Sequence, residues 1–216
     1  MQVLEKEAVG SFEPKNGFVY TLGVAPTRLI NDVPYVYVFR QAAGHVKRPW
    51  GVRAERRREV KLIGGNYDPS KDIDWVDVIV REGREEGQVI LYPRQISEAP
   101  YLSFITGQTR PEEEKLGEHR YILFLVLLQE EPPRIVVAER STEAEHVEEA
   151  NWVELDSVMN PVWRWKGARM NSAHRERLEA LKHRYYELIY GKARAKKQSP
   201  KGKKIHREEV DWLKEA

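Results

Sequence analysis

The chain of 216 residues has no cysteine. Disulfides, thiolate metal sites and cysteine nucleophiles are therefore excluded. Long apolar runs are missing too. The longest, YILFLVLL at 121–128, is far shorter than the roughly 20 residues that a membrane-spanning helix needs. The opening MQVLEKEAVG holds no apolar core of signal-peptide length. These absences predict a soluble, cytoplasmic protein without membrane contact. There is no Gly-x-Ser-x-Gly elbow and no P-loop. His45, His119, His146 and His174 show no ligand spacing, so no zinc site is expected.

What is present is enough for one domain with an appended tail. About two-fifths of the residues are apolar, which supplies a core. The net charge of +2 hides an uneven distribution. Residues 191–207, GKARAKKQSPKGKKIHR, contain eight Lys and Arg and no acid. We expect a domain over 1–190 and a flexible basic extension over 191–216. The segment 192–207 suits either RNA contact or simple solubilisation.

FVYTLGVAP (18–26) and VPYVYVFRQ (33–41) are β-branched and aromatic, and Asn31-Asp32 lies between them. They predict two strands, joined as a hairpin. Residues 42–58 are basic, contain Gly44, Pro49 and Gly51, and predict a loop. EVKLI (59–63) predicts a strand ending on Gly64-Gly65. Apolar spacing from about Lys71 predicts a helix over 72–87. QVILY (88–92), APYLSFIT (99–106), HRYILFLVLLQ (119–129) and PPRIVVAE (132–139) predict strands. ANWVEL (150–155) predicts a strand entering a helical turn. Asn171 or Ser172 is a candidate cap for a C-terminal helix carrying Leu178, Leu181 and Tyr185. The sum is an α/β chain of α+β type, with a mixed sheet and no regular βαβ alternation.

The chemistry concentrates in REGREEGQV, residues 81–89. On a helix, Glu82, Glu85 and Glu86 fall at i, i+3 and i+4, on one face. Three carboxylates this close repel one another, and a hard divalent cation relieves the repulsion. A solvated charged face is the alternative for such a run. Gly64-Gly65 can bring backbone close to the same place.

GGNYDPSKDIDWVDVIVREGREEGQV (64–89) resembles the Nudix box: Gly, five residues, Glu, seven residues, then Arg-Glu-U-x-Glu-Glu-x-Gly-U, with U aliphatic. Arg81-Glu82 matches its Arg-Glu, Glu85-Glu86 its Glu-Glu, and Val89 its last aliphatic position. Three departures stand out. Gly65 to Arg81 is two residues too long, Lys71 stands at the first Glu with Asp72 or Asp74 as replacements, and Gln88 replaces the final Gly. Gly83 also takes an aliphatic position. The resemblance implies a Nudix-like mixed β-sheet packed between helices over roughly 18–190. It implies hydrolysis of a nucleoside diphosphate linked to another group, such as ADP-ribose or another nucleotide sugar, a dinucleoside polyphosphate or an RNA 5′-end. A catalytically silent module that binds nucleotide or RNA is the alternative. The metal, Mg²⁺ or Mn²⁺, is expected on Glu82, Glu85, Glu86 and the Gly65 carbonyl, with Glu82 also taking a proton from water and Arg81 ordering the site. A further acid from the late loop is expected at Glu145. The basic stretch 45–58 is the expected phosphate clamp: Arg53 pairs with phosphate, Trp50 stacks on a base, and Arg40 faces the pocket from its strand. A homodimer is usual among such relatives.

Overall fold

The computed structural model describes residues 3–8, 12–14, 18–47, 53–68, 70–105, 118–134 and 147–190. The chain forms two compact units, Met1–Lys182 and His183–Ala216. The tail 191–216 lies outside the described residues, and the architecture below is that of the first unit. No described helix is long and apolar enough to cross a membrane.

In chain order the strands are β1 (Val3–Ala8), β2 (Phe18–Ile30), β3 (Val33–Gln41), β4 (Gly44–Lys47), β5 (Arg53–Arg56), β6 (Glu59–Lys61) and β7 (Ile63–Asn66). Helices α1 (Trp75–Glu85) and α2 (Pro93–Ser97) follow, then β8 (Tyr101–Ile105), β9 (Glu118–Leu127) and β10 (Val147–Glu154). The chain continues with α3 (Leu155–Met159), β11 (Arg169–Met170) and α4 (Ser172–Tyr190). The fold is the expected α+β type with a mixed sheet.

The sheet is organised on β2. Its thirteen residues are long enough to serve three partners. Residues 18–27 lie parallel to β9, with Val24 opposite Phe124. On the other edge, 21–24 run antiparallel to β7, which sets Gly64 opposite Gly23. The last turn of pairing goes to β3, through a hairpin whose Asn31 and Asp32 have φ of 51° and 61°. Both values are left-handed, as a type I′ turn requires, and Asn and Asp tolerate that region. β3 then passes to β6 and β10, and β9 to β8 and β1.

Alternation along β9 sorts the two faces. Phe124 is fully buried and stacks on Trp75 of α1, with ring centroids 4.7 Å apart. Tyr121, three residues earlier, therefore points to the other face, where it meets His174 and Arg177 of α4. The sheet is thus covered by α1 on one side and by the start of α4 on the other. The first face holds the main core, including Leu22, Phe39, Ile63, Ile79, Ile122 and Val126. Asn171 closes the start of α4, its side-chain oxygen accepting from the N–H of Ala173 at 3.0 Å.

Several expectations shift. Within 42–58, expected as a loop, Gly44–Lys47 and Arg53–Arg56 form an antiparallel β4–β5 pair; backbone pairing overrides a basic composition. Gly64-Gly65 lies inside β7 rather than after a strand. Helix α1 is shorter than 72–87 because Asp74 caps it, accepting from the N–H groups of Val76 and Asp77. QVILY is not a strand: only Val89 bridges, to Arg134, and Pro93 starts α2 soon after. Residues 135–139 of the expected strand 132–139 lie outside the described residues.

The end of α1 explains one departure from the box. The Val89 N–H reaches the Gly83 carbonyl at 3.0 Å, closing the last turn around Gln88. Gln88 has φ 55°, the left-handed region where a glycine is unstrained. The Tyr37 hydroxyl donates to the Gly87 carbonyl and pins this bend to the sheet. Gln88→Gly should therefore raise stability by about 1 kcal/mol, read as a higher urea midpoint with an unchanged slope.

Candidate active site

The sequence 67–74 builds a turn that delivers one carboxylate inward. The Asp68 carbonyl accepts from the N–H groups of Lys71 and Asp72, and the Asp72 carboxylate accepts from the Asp68 N–H at 2.8 Å. Asp72 is thereby buried, at 4% exposure. Its two oxygens face Arg81, at 2.9 Å from Nε and 3.0 Å from Nη2. This is a two-pronged guanidinium–carboxylate pair. Lys71, aligned with the first Glu of the box, faces Asp68, at 3.9 Å. Asp72 is the acid that pairs with Arg81, and Asp74 is the helix cap.

Arg81 then reaches across the acidic face. Its Nη1 donates to Glu82 at 2.7 Å and to Glu85 at 3.2 Å, and its Nη2 to the Asn66 carbonyl. Glu86 turns to the sheet and accepts from the Gly64 N–H at 3.0 Å. Gly65 lies against the Glu82 carboxylate so closely that a Cβ there would stand 1.8 Å from Oε1. Three carboxylates thus share one guanidinium, and Glu82 and Glu86 lie against the two glycines of β7.

The electrostatics follow. Burial acts to raise the Asp72 carboxyl, but the Arg81 and Asp68 hydrogen bonds outweigh it and hold Asp72 below the usual range. Hydrogen bonding to Asp72 raises the already high affinity of Arg81 for its proton. Glu86 is pushed up to about 8 by burial and by the neighbouring Glu82 charge; the Gly64 N–H and Lys61 offset part of this.

Among the described residues, no group of three or more His, Asp or Glu side chains is gathered to hold a metal as it stands. Arg81 lies between Glu82 and Glu85. The donors themselves fit a hard divalent cation: carboxylate oxygens, surplus negative charge, and a strand position that a Cβ would fill. Arg81 would have to yield part of its hold on Glu85.

Beside Glu86 opens a cavity of about 210 Å³, lined also by Thr21, Lys61, Leu62, Gly64, His119, Tyr121, His174 and Arg177. The sequence assigned no role to Thr21, Lys61, Tyr121 or Arg177, and His119 and His174 were named only as lacking ligand spacing. Lys61, His119 and Arg177 lie far apart in the chain, and nothing local marks them. The Arg177 guanidinium lies over the Tyr121 ring, with Cζ 3.3 Å from its centroid. The Thr21 hydroxyl donates to Asn66 Oδ1 at 2.6 Å and so accepts from His119 Nε2, at 2.8 Å. Burial, with Arg177 and Lys61 nearby, drives the His174 imidazole well below its usual range, so it is neutral.

The other predicted residues are placed elsewhere. Arg40 is in β3 with its guanidinium on Glu148 and Glu149, and Arg58 shares Glu148. Its charge is matched within this cluster, and it is not among the residues lining the cavity. Arg53 is in β5 of the small hairpin. Trp50, Glu145 and 192–207 lie outside the described residues.

No protein-family model matches the chain, and no curated protein matches it. Solved structures do. The Nudix domain of Shewanella oneidensis NrtR, complexed with ADP ribose, is 14% identical, with 80% of this chain and 90% of that one covered and a TM-score of 0.49. A bifunctional NMN adenylyltransferase/ADP ribose pyrophosphatase from Francisella tularensis, complexed with AMP and a Mn ion, is 18% identical, with 80% and 43% covered and a TM-score of 0.47. A MutT Nudix hydrolase from Burkholderia pseudomallei is 16% identical, with 75% and 96% covered and a TM-score of 0.39. Nudix proteins are among the solved structures it resembles. These likenesses concern the path of the chain and assign it neither activity nor ligand. The chain spans less than half of the Francisella enzyme.

Two outcomes test the site as built. Asp72→Asn leaves Arg81 without its buried partner and should cost about 3 kcal/mol in urea unfolding, whereas Lys71→Gln should change stability by less than about 0.5 kcal/mol. Glu86 has a folded-state affinity for its proton above the unfolded one, so its contribution is fully present below the unfolded value and lost as pH rises toward 8. In EDTA, Glu86→Gln should therefore melt above wild type at pH 8 and lose that advantage at pH 4.

Proposed function

We propose that this protein is a divalent-metal-dependent pyrophosphohydrolase of the Nudix type, acting on a nucleoside diphosphate linked to another group. One observation carries the reading: Arg81 gathers Asp72, Glu82 and Glu85, while Glu82 lies against Gly65 and Glu86 against Gly64, and Glu86 opens into a cavity with basic residues in its lining. Such a surplus of carboxylate is unfavourable without a cation. Glu82, Glu85, Glu86 and the Gly65 carbonyl would hold Mg²⁺ or Mn²⁺. When bound, the ion neutralises phosphate charge and makes a coordinated water more acidic.

The chain's own residues supply the rest. Asp72 fixes Arg81, and Arg81 fixes Glu82 and Glu85, so the face is ordered before substrate arrives. Glu82 is oriented by Arg81 through Oε1, and we assign the water's proton to it. ADP-ribose or another nucleotide sugar, a dinucleoside polyphosphate and an RNA 5′-end are the candidate substrates.

A second reading is a catalytically silent domain that binds nucleotide or RNA. It is favoured by Arg81 standing between Glu82 and Glu85, where an ion would lie. Release of AMP or phosphate from a panel of pyrophosphates, with Mg²⁺ and with EDTA, separates the two. We expect Mg²⁺-dependent turnover that falls at least about a hundredfold in Glu85→Gln and Glu86→Gln. Turnover equal in both variants and wild type would remove the assigned roles, and a wild type that binds nucleotide without turnover would establish the second reading.

A further inference from the structure

We propose that His119, Thr21 and Asn66 form a hydrogen-bonded brace across three strands that positions Arg81, and through Arg81 the acidic face. The catalytic part of this role rests on the reading of that face as a hydrolase site; the positioning itself does not.

The need for a brace arises at the end of β7. That strand has four residues, Ile63–Asn66, and its pairing with β2 stops where Thr21 stands opposite Asn66. Asn66 is thus the last paired residue before the turn that delivers Asp72, and it is exposed. Ends of this kind open readily, because the final pair has a neighbour on one side only. Yet two contacts of the site depend on this end. The Asn66 carbonyl accepts from Arg81 Nη2 at 3.2 Å. Gly65, one residue back, lies against the Glu82 carboxylate. Among the described partners of Arg81, Asp72 belongs to the turn and Glu82 and Glu85 to α1. The Asn66 carbonyl ties the guanidinium to the sheet.

Side chains supply what the backbone ladder lacks there. Thr21 Oγ1 donates to Asn66 Oδ1 at 2.6 Å, at the short end for a hydroxyl donor. A threonine hydroxyl has one proton and is otherwise free to rotate. The His119 Nε2–H, at 2.8 Å, fills its acceptor side and so aims that proton at Asn66. His119 lies on β9, Thr21 on β2 and Asn66 on β7, so the brace spans the parallel ladder and the antiparallel one beside it.

Position rather than stability is what such a bond changes. The Thr21–Asn66 contact is exposed, and water would satisfy both groups if it were lost. Its partners are 45 residues apart, and Thr21 and His119 are 98 apart, so neither contact serves a local turn or cap. Losing the brace therefore leaves the sheet intact and lets Asn66, with the carbonyl that Arg81 uses, move away from it.

The test follows Arg81 itself in the full protein. Its Nε–H and Nη–H signals are recorded by NMR in EDTA, and turnover of a nucleotide pyrophosphate is measured with Mg²⁺. In Thr21→Val and in Asn66→Ala the Arg81 N–H groups should exchange with water about tenfold faster, as the loss of one hydrogen bond implies. Thr21→Ser keeps the hydroxyl and should stay close to wild type. The double variant should be no worse than either single one, because both remove the same bond. Urea midpoints should hold near wild type, while kcat falls about tenfold with KM within about twofold. The ¹⁵N signals of neutral His119 should place its proton on Nε2. Exposed Arg94→Gln should match wild type throughout. Unchanged Arg81 exchange in Thr21→Val, additive losses in the double variant, losses that Thr21→Ser shares, or a neutral His119 with its proton on Nδ1 would overturn the proposal. Should Asn66→Ala not fold, Thr21→Val against Thr21→Ser decides. A wild type without turnover whose Arg81 exchange responds as stated would keep the brace and remove the hydrolase.

Discussion

The Asp72–Arg81 pair governs the rest of the site. Arg81 has several acidic neighbours within reach, and only a fixed anchor decides which of them it holds and how. Two oxygens facing two nitrogens fix both the position and the plane of the guanidinium. From there Nη1 donates to Glu82 and Glu85, one and four residues along the helix, and Glu86 accepts from the sheet. The different environments of the three glutamates thus follow from one contact made outside the helix that bears them.

Glycine makes the arrangement possible. Helix and strand approach until the Glu82 carboxylate touches Cα of Gly65 and the Glu86 carboxylate touches the Gly64 N–H. Any side chain at Gly65 would push the helix away and separate the acids from the backbone. The same economy appears one strand over, where Gly23 makes room for the Tyr121 hydroxyl. The sheet is bare at the two places where polar side chains lie flat upon it.

Which parts were legible in the sequence depends on how local their cause is. The acidic face was readable because its spacing lies within two turns of one helix. The β2–β3 hairpin was readable because Asn31-Asp32 states its own backbone angles. The identity of the first acid was open between Asp72 and Asp74, since the choice depends on how the turn at Asp68 closes. The cap went to Asp74 and the anchor to Asp72. The β4–β5 pair was missed because charge masked the backbone pairing. The cavity was invisible, because Lys61, His119 and Arg177 are joined only by sheet register and by the landing of α4. Arg40 was read as facing a pocket because basic residues suggest phosphate; in the fold its charge is matched by Glu148 and Glu149.

The parallel pairing of β2 with β9 has a kinetic consequence. Phe18 lies opposite Glu118, so this central ladder closes a loop of about a hundred residues before it gains any contact. Chains ordered by such distant pairings fold slowly compared with those built from neighbouring segments. The cavity straddles that late-forming seam, with Thr21 on one strand and His119 and Tyr121 on the other. During synthesis the nascent polypeptide would remain inert until nearly all of the first unit had emerged, and fragments ending before α4 would carry the acids and Lys61 without His174 and Arg177.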